Sequence, residues 1–537
     1  METVQQWRAV ILPFTSEAAP ENPFLDVEIW AVFTGPGGRM IRREAYWDGG
    51  RSYKVAFAPT AVGRWHYRLQ APAATGLDGA AGEVECVPYM GGEAIYRHGF
   101  LKVSENRHYL TYADGTPFFW LGDTHWEFAY GERWDESNHP GMTSMFRGMV
   151  DRRVQQGFTV YQTNLRSDIA AADGGSSGND LYWDRTSPTD LPNVAFYQQE
   201  LDRRMQYVAD RGLVNAVGVA WFSAVLEGTG HIRHLVRYLT ARYGALPVVW
   251  TLAGEAEGYF PEPMRSRLIE NWREVALYQQ QLDGYGNLQT AHSTNERPFV
   301  DVYQDEEWFD FTLNQAGHGD RPINAYWYQL FHAKHGNKPF VEGESFYEFV
   351  STLEENGTRL CTADMVRRAA YIAMQTGACG YTYGAQGIWD NVWEKGGNNP
   401  LGGGFNQYDI TWAEAIDGEG AVQMGYLKQF YLDQRFWELA PHSETEVRTA
   451  DPFDPRAPLA LKSPDGRRWV LYYAANLRSW RPAMLHGLND GSYRGRWFDP
   501  RTGVYTALAQ PLTVENGMLA APSRPTSPDW LLVLEQE

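Results

Sequence analysis

Two glutamates close short apolar runs that read as strands: Glu255 ends VVWTLAGE and Glu344 ends PFVEGE. Cleaving a glycosidic bond needs two carboxyls facing each other across a sugar. One protonates the leaving oxygen, and the other attacks the anomeric carbon or activates water. Any single strand-end glutamate is as readily half of an ion pair, and it is the joint placement of these two that favours chemistry. Glu257 and Glu342 stand two residues away from them and read as such ion-pair carboxylates. A regular strand would point Glu342 and Glu344 the same way, and Gly343 between them suggests that the regularity ends there.

The same filter, polar or aromatic residues just after an apolar run, selects the rest of a candidate site, because enzymes built on parallel α/β barrels work at the C-terminal ends of their strands. The expected substrate-binding residues are Asp123, His125, Trp126, Asn164, Arg166, Trp221, His292, Asn314, Gln315, Tyr347, Tyr383 and Trp389. Asn295, His318, Gln386 and Asp390 fall at similar places. Trp221, Tyr347 and Trp389 are candidate stacking platforms, since aromatic faces pack on the C–H faces of sugars. Asp123, His125, His292 and His318 could instead suggest a metal-dependent barrel hydrolase. That reading lacks an HxH pair on the first strand and a ligand lysine on the sixth, so no metal is expected.

Positioning these residues takes strands that alternate with helices. Apolar runs recur at about 117–122, 158–164, 213–220, 247–253, 287–291, 308–313, 338–343 and 378–383, separated by amphipathic stretches such as QQELDRRMQYVADRG. Eight such units predict an α/β fold, a (β/α)8 TIM barrel over residues 97–441. A single last helix is expected over 412–440. Residues 1–92 carry period-two alternation broken by GPGG, DGG and GLDG, which predicts an N-terminal, Ig-like β-sandwich. Alternation returns in RWVLYYAAN and DWLLVLE, predicting a C-terminal β-sandwich over 455–537 after a Pro-rich linker.

The bulk properties agree with a three-domain globular chain: 537 residues exceed what one core supports. A net charge of −19 argues against a nucleic-acid partner. No run approaches a membrane span, and the N-terminal segment lacks the pattern of a signal peptide, so a cytoplasmic location and no membrane partner are expected. Three scattered cysteines fit neither a disulfide framework nor a zinc site. An aromatic share of 14% points weakly toward carbohydrate, and a homo-oligomer stays open.

At YWDGGRSYKVAFAPTAVGRWHYRL, DGTPFFWLGDTHWE, KPFVEGESFYE and YRGRWFDPRTG the chain resembles the apiosidase-like glycoside hydrolases, in which a (β/α)8 barrel follows an N-terminal β-sandwich and precedes a putative collagen-binding-type β domain. The resemblance implies that Glu255 is the acid/base and Glu344 the nucleophile. Where the family often has Gly-Gly-Asp, this chain has Ala253-Gly254-Glu255, a side chain one methylene longer. The expected activity is retaining, exo-acting hydrolysis of small oligosaccharides or glycosides without a cofactor. Glu255 should be raised in proton affinity while Glu344 stays ionised. The non-catalytic alternative is a carbohydrate-binding protein whose barrel has lost activity.

Overall fold

The computed structural model describes residues 1–127, 132–165, 191–226, 228–295, 300–318, 337–354, 357–396, 408–442, 458–474, 484–526 and 528–537. Near the N-terminus the alternating runs form two sheets. One is ordered Glu2–Gln5, Ala81–Val87, Gly63–Gln70, Trp30–Thr34, Met40–Glu44, and the other Val10–Thr15, Ser52–Phe57, Tyr46–Trp47. Their inward residues meet in one core, where the Phe33 and Phe57 rings stack at 3.7 Å beside fully buried Trp65.

The central part is a nearly closed barrel of parallel strands. In chain order these are β1 (Trp120–His125), β2 (Val160–Asn164), β3 (Val214–Trp221), β4 (Val248–Gly254), β5 (Thr312–Gln315), β6 (Phe340–Glu344) and β7 (Gly380–Tyr383). They pair in the order β4-β3-β2-β1-β7-β6-β5, each pair parallel. The run expected as a further strand at 287–291 lies between the two edges without forming a full ladder. Trp250 of β4 exchanges two bonds with it, Trp250 N–H to Leu288 O and Thr290 N–H to Trp250 O, both 2.8 Å, and Asp310 N–H reaches Gln289 O at 2.8 Å. Isolated bridges join Trp250 to Gln289 and His292 to Leu313. Every residue of β1 to β4 is buried, as expected where helices cover a parallel sheet.

Those helices are α1 (Met145–Gln155), α2 (Asp202–Asp210), α3 (Gly230–Tyr243), α4 (Met264–Leu282), α5 (Ala363–Gln375) and α6 (Glu419–Asp433). The single helix expected over 412–440 is broken. Trp412–Ala415 and α6 are separate, and Gly418, at the N-cap of α6, lies where a Cβ would stand 2.6 Å from the Glu348 carboxyl. None of the described helices is long and apolar enough to cross a membrane. The last sheet runs Ala440–Pro441, Leu459–Lys462, Arg468–Tyr473, Trp530–Gln536, Gly491–Asp499, Val504–Ala507, so the chain leaving the barrel joins it at once.

Two buried arginines fasten these layers. Arg43 of the N-terminal sheet donates to Thr240 O at 2.9 Å and Ala241 O at 3.1 Å, satisfying carbonyls at the C-terminal end of α3. Arg367 of α5 grips Asp529 in bidentate fashion, at 2.6 and 3.0 Å, and also bonds Gln423 of α6. Removing one member of a buried pair costs about 3–5 kcal/mol where it leaves the other charge unpaired, and Arg367 would keep, among the described residues, only the exposed Asp364, at 2.6 Å, as a counter-charge. Asp529→Ala is therefore expected to unfold at distinctly lower urea than the wild type, and Asp529→Asn to lose less. An unchanged midpoint for Asp529→Ala would show that the pair does not hold the last sheet to the barrel.

Candidate active site

β4 loses regularity just where a side chain must leave the wall. Leu252 and Glu255 adopt left-handed φ values of 56° and 49°, and the β3–β4 register shifts twice between Val217 and Ala220. Such conformations in non-glycine residues cost on the order of 1–3 kcal/mol each and persist where surrounding structure imposes them. Trp221, at the end of β3, packs directly on Gly254, where a Cβ would stand 2.6 Å from its ring. The chain then turns tightly, Gly258 N–H reaching Glu255 O at 2.7 Å.

β6 is irregular at the corresponding place. Its register with β5 runs Asn314 to Glu342 and then Gln315 to Glu344, so Gly343 is left over as a bulge. A Cβ there would lie 2.4 Å from Leu313. The bulge sends the two glutamates to different partners. Glu342 takes the Asn314 amide at 2.6 Å and the Ala316 N–H at 3.0 Å, which makes it part of the wall.

Glu344, 5% exposed, faces two imidazoles: His318 Nε2 at 2.9 Å and His292 Nε2 at 3.1 Å. The His318 contact is a good hydrogen bond. The His292 contact is within ion-pair range but poorly angled for one, so its hold is chiefly electrostatic. Burial works to raise the proton affinity of Glu344, and the two histidines overcome it and bring the pKa down to about 2. The converse holds for His292: burial disfavours its charged form, and Glu344, then Glu255 and Glu342, raise its pKa above the ordinary value.

Glu255 is pushed the other way. Burial raises its pKa most, the hydrogen bond from Tyr259 opposes that, and repulsion from Glu344 adds to the rise. The Tyr259 phenol donates to Glu255 Oε1 at 2.6 Å and stands 3.5 Å from Asn295 Oδ1. The Gln315 amide also favours ionised Glu255, while Gln315 Oε1 is buried without a partner among the described residues. The two neighbouring carboxyls are thus shifted in opposite directions, Glu255 toward holding its proton and Glu344 toward giving it up.

Around these carboxyls the structure gathers several of the expected residues. Trp126 meets Trp221 and His292 edge-on, with ring centres 5.6 and 5.5 Å away. Tyr347 rests on Gly384, 4.4 Å from the His318 ring and 6.3 Å from the Trp389 ring. Burial and the charge of Glu344 raise the Tyr347 phenol well above its ordinary pKa.

Other expected residues are engaged inside the wall. Asp123 accepts from Arg153 at 2.5 Å and pairs with His125 Nε2 at 2.7 Å, while His125 Nδ1 meets Glu132 at 2.5 Å, all of them buried. Burial lowers the pKa of His125, but Glu132 and Asp123 raise it further, to about 9. The four residues of the metal-site alternative therefore fall into two sets: Asp123 with His125, and His292 with His318 at Glu344. Tyr383 donates to Glu348 at 2.6 Å, and Asn164 donates to Ala220 O at 3.1 Å. Arg166 and the segment DGGSSGND lie outside the described residues, as does most of KGGNNPLGGG. Tyr259, Glu132, Arg153 and Glu348 were not among the sequence-derived candidates. Only Tyr259 had a local signal, an aromatic four residues after Glu255.

Residues 104–438 match the apiosidase-like catalytic domain, and residues 3–72 match a domain of unknown function, DUF5060. No curated protein matches the chain. Among solved structures, a Bacteroides vulgatus protein described as a candidate glycoside hydrolase is similar over 100% of both chains, with a TM-score of 0.74 at 15% identity. A glycoside hydrolase family 5 protein from Bacteroides vulgatus is similar over 82% of this chain and 94% of its own, with a TM-score of 0.66 at 20% identity. A further glycoside hydrolase gives a TM-score of 0.65 at 22% identity over 82% of this chain and 97% of its own. At these identities the likeness is one of fold. The family match spans more than half of the sequence, and the chain therefore belongs to the apiosidase-like family, with residues 104–438 as its catalytic domain.

Proposed function

We propose that the protein is a retaining glycosidase acting on small oligosaccharides or glycosides, with Glu255 as acid/base and Glu344 as nucleophile. The observation that carries this reading is a pair of strand-end carboxyls that feel each other's charge, Glu344 set against two imidazoles that lower its proton affinity and Glu255 shifted the opposite way by burial beside Tyr259. In this reading the segment 287–291 counts as the fifth strand of a (β/α)8 barrel over 97–441, flanked by β-sandwich domains over 1–92 and 455–537.

In the first step neutral Glu255 gives its proton to the glycosidic oxygen as the C–O bond breaks. A Glu344 oxygen bonds the anomeric carbon, forming a glycosyl-enzyme ester and freeing the aglycone. In the second step ionised Glu255 takes a proton from water, the water oxygen bonds the anomeric carbon, and the ester bond to Glu344 breaks. The low proton affinity of Glu344 suits it to leave in that second step. Trp126, Trp221, Tyr347 and Trp389 supply aromatic surface for the C–H faces of a sugar, and Gln315 Oε1, without a partner among the described residues, can accept from a hydroxyl. Asp123, His125, Tyr383, Asn164 and Asn314 serve as wall residues that hold strand ends in place.

A panel of aryl pyranosides and furanosides of both anomers tests the reading. Wild type is expected to release the phenol from at least one. Glu344→Ala should fall to background and be rescued by azide as a glycosyl azide, and Glu255→Ala should lose about 10²–10⁴-fold with an unactivated leaving group. Undiminished activity in Glu344→Ala would overturn the mechanism, and the product pattern on oligosaccharides separates exo from endo action.

The pH profile of kcat/KM follows from the same pair. Activity needs Glu344 ionised, so it is lost as pH falls through a value far below the ordinary glutamate range. It also needs Glu255 protonated, so it is lost as pH rises through a value above that range. Removing the charge of His292 frees Glu344 to hold its proton more tightly, and His292→Ala is expected to move the acid limb to higher pH. An acid limb that stays put would show that His292 does not control Glu344.

A further inference from the structure

Glu257 has no part in the mechanism above, yet it is buried at 2% exposure two residues beyond Glu255. Its Oε1 accepts the Thr294 hydroxyl at 3.1 Å, and its Oε2 has no hydrogen-bond partner among the described residues. No cation stands within ion-pair range of it among the described residues. Arg265 of α4 and Tyr303 of the short helix Val300–Tyr303 act on it only through space, and Glu255, Tyr259 and His292 are the other titratable groups on the segments that carry it and its partner. A buried carboxyl whose one side-chain bond comes from a neutral hydroxyl, with no counter-charge in reach among the described residues, is a poor stabiliser, since its desolvation is not repaid. Each such group in a native structure calls for an explanation.

The explanation lies in what the Thr294 bond joins. One segment, 288–295, brings His292 to Glu344, and the other, β4 with its turn 255–259, carries Glu255 and Tyr259. Backbone bonds zip the two together up to the mouth: Thr290 N–H to Trp250 O at 2.8 Å, His292 N–H to Ala253 O at 3.2 Å, and Ala256 N–H to His292 O at 3.1 Å. Beyond Ala256, among the described residues, the zipper continues through side chains, from Thr294 to Glu257 and in the long approach of Tyr259 to Asn295. We infer that Glu257 is a positioning residue, which through Thr294 clamps the segment carrying His292 to the turn carrying Glu255 and so sets the relation between the two carboxyls. This rests on the catalytic assignment of Glu255 and Glu344. Burial pushes the pKa of Glu257 up to about 7, which agrees with a neutral acid that can sit there without a counter-ion.

Full-length Glu257→Ala, Thr294→Val and Glu257→Gln separate positioning from bulk stability. The first two are expected to lower kcat on the best aryl glycoside by about 10–100-fold with KM nearly unchanged, as small misplacements of reacting groups do. Their combination should be no worse than either alone, because both cut the same bond. Glu257→Gln, whose amide oxygen still accepts from Thr294, should keep most of the activity. Hydrogen exchange gives a readout that needs no substrate: peptides covering 255–259 and 290–295 should exchange faster in Glu257→Ala and Thr294→Val and not in Glu257→Gln. Wild-type exchange rates in Glu257→Ala and Thr294→Val would overturn the clamp. Wild-type kcat in those variants, with Glu344→Ala inactive, would overturn its positioning role alone, whereas an active Glu344→Ala would instead remove the catalytic assignment on which that role rests.

Discussion

A carboxylate held ionised while almost entirely out of water is the interaction on which this site depends. Moving such a charge from water into a protein interior costs several kcal/mol unless partners face it. Glu344 has two, and they come from different parts of the wall: His292 from the segment between β4 and β5, and His318 from just beyond β5. The charge is therefore tolerated only while three consecutive segments of the barrel keep their places. The same charge repels any second negative group nearby, and this adds to the tendency of Glu255 to keep its proton. One electrostatic fact thus divides the labour between the two glutamates.

Backbone irregularity is what brings both side chains into that field. A regular β6 would have turned Glu342 and Glu344 to the same face, and the leftover Gly343 prevents it. On β4 the left-handed Leu252 and Glu255 do the comparable job, at a cost that the surrounding contacts must cover. Trp221 is part of that cover: it lies against Gly254 so closely that no larger residue fits, and it carries the aromatic surface from the end of β3 to the residue before Glu255.

Much of this was legible in the sequence, and the reasons differ by residue. Apolar runs bounded by polar residues located the parallel strands to within a few residues, because a buried strand has little freedom of composition. The nearness of Glu255 to Glu344 and the break at Gly343 followed from that placement. Tyr259 and the His318 contact to Glu344 were not foreseen, since loop residues carry no periodic signal and their partners are distant in sequence. Asp123, His125 and Tyr383 looked like binding residues because strand-end position does not report whether a side chain turns toward the mouth or into the wall. The last helix breaks at Gly418, whose backbone is non-helical at the start of α6 and beside which no Cβ fits against the Glu348 carboxyl, and that contact is invisible in the local pattern.

Asp123, Arg153, His125 and Glu132 form a closed set of charges with no exposed member, linked to Tyr161 of β2 through bonds of 2.8 Å. Arg153 also stands 5.3 Å over the Tyr383 ring, whose hydroxyl bonds Glu348, which in turn takes the Gly420 N–H near the start of α6. Apolar residues of similar volume would fill this space with equal or greater stability, so stability alone does not account for the charges. Their hydrogen bonds have direction, which dispersion contacts lack, and they tie β1, β2, β7, α1 and α6 into one orientation. Trp126 follows His125 directly, and its ring touches both Trp221 and His292. Fixing His125 on two carboxylates therefore fixes the next residue, Trp126, which packs against the histidine facing Glu344, so the buried network reaches the Glu344 charge through Trp126 and His292.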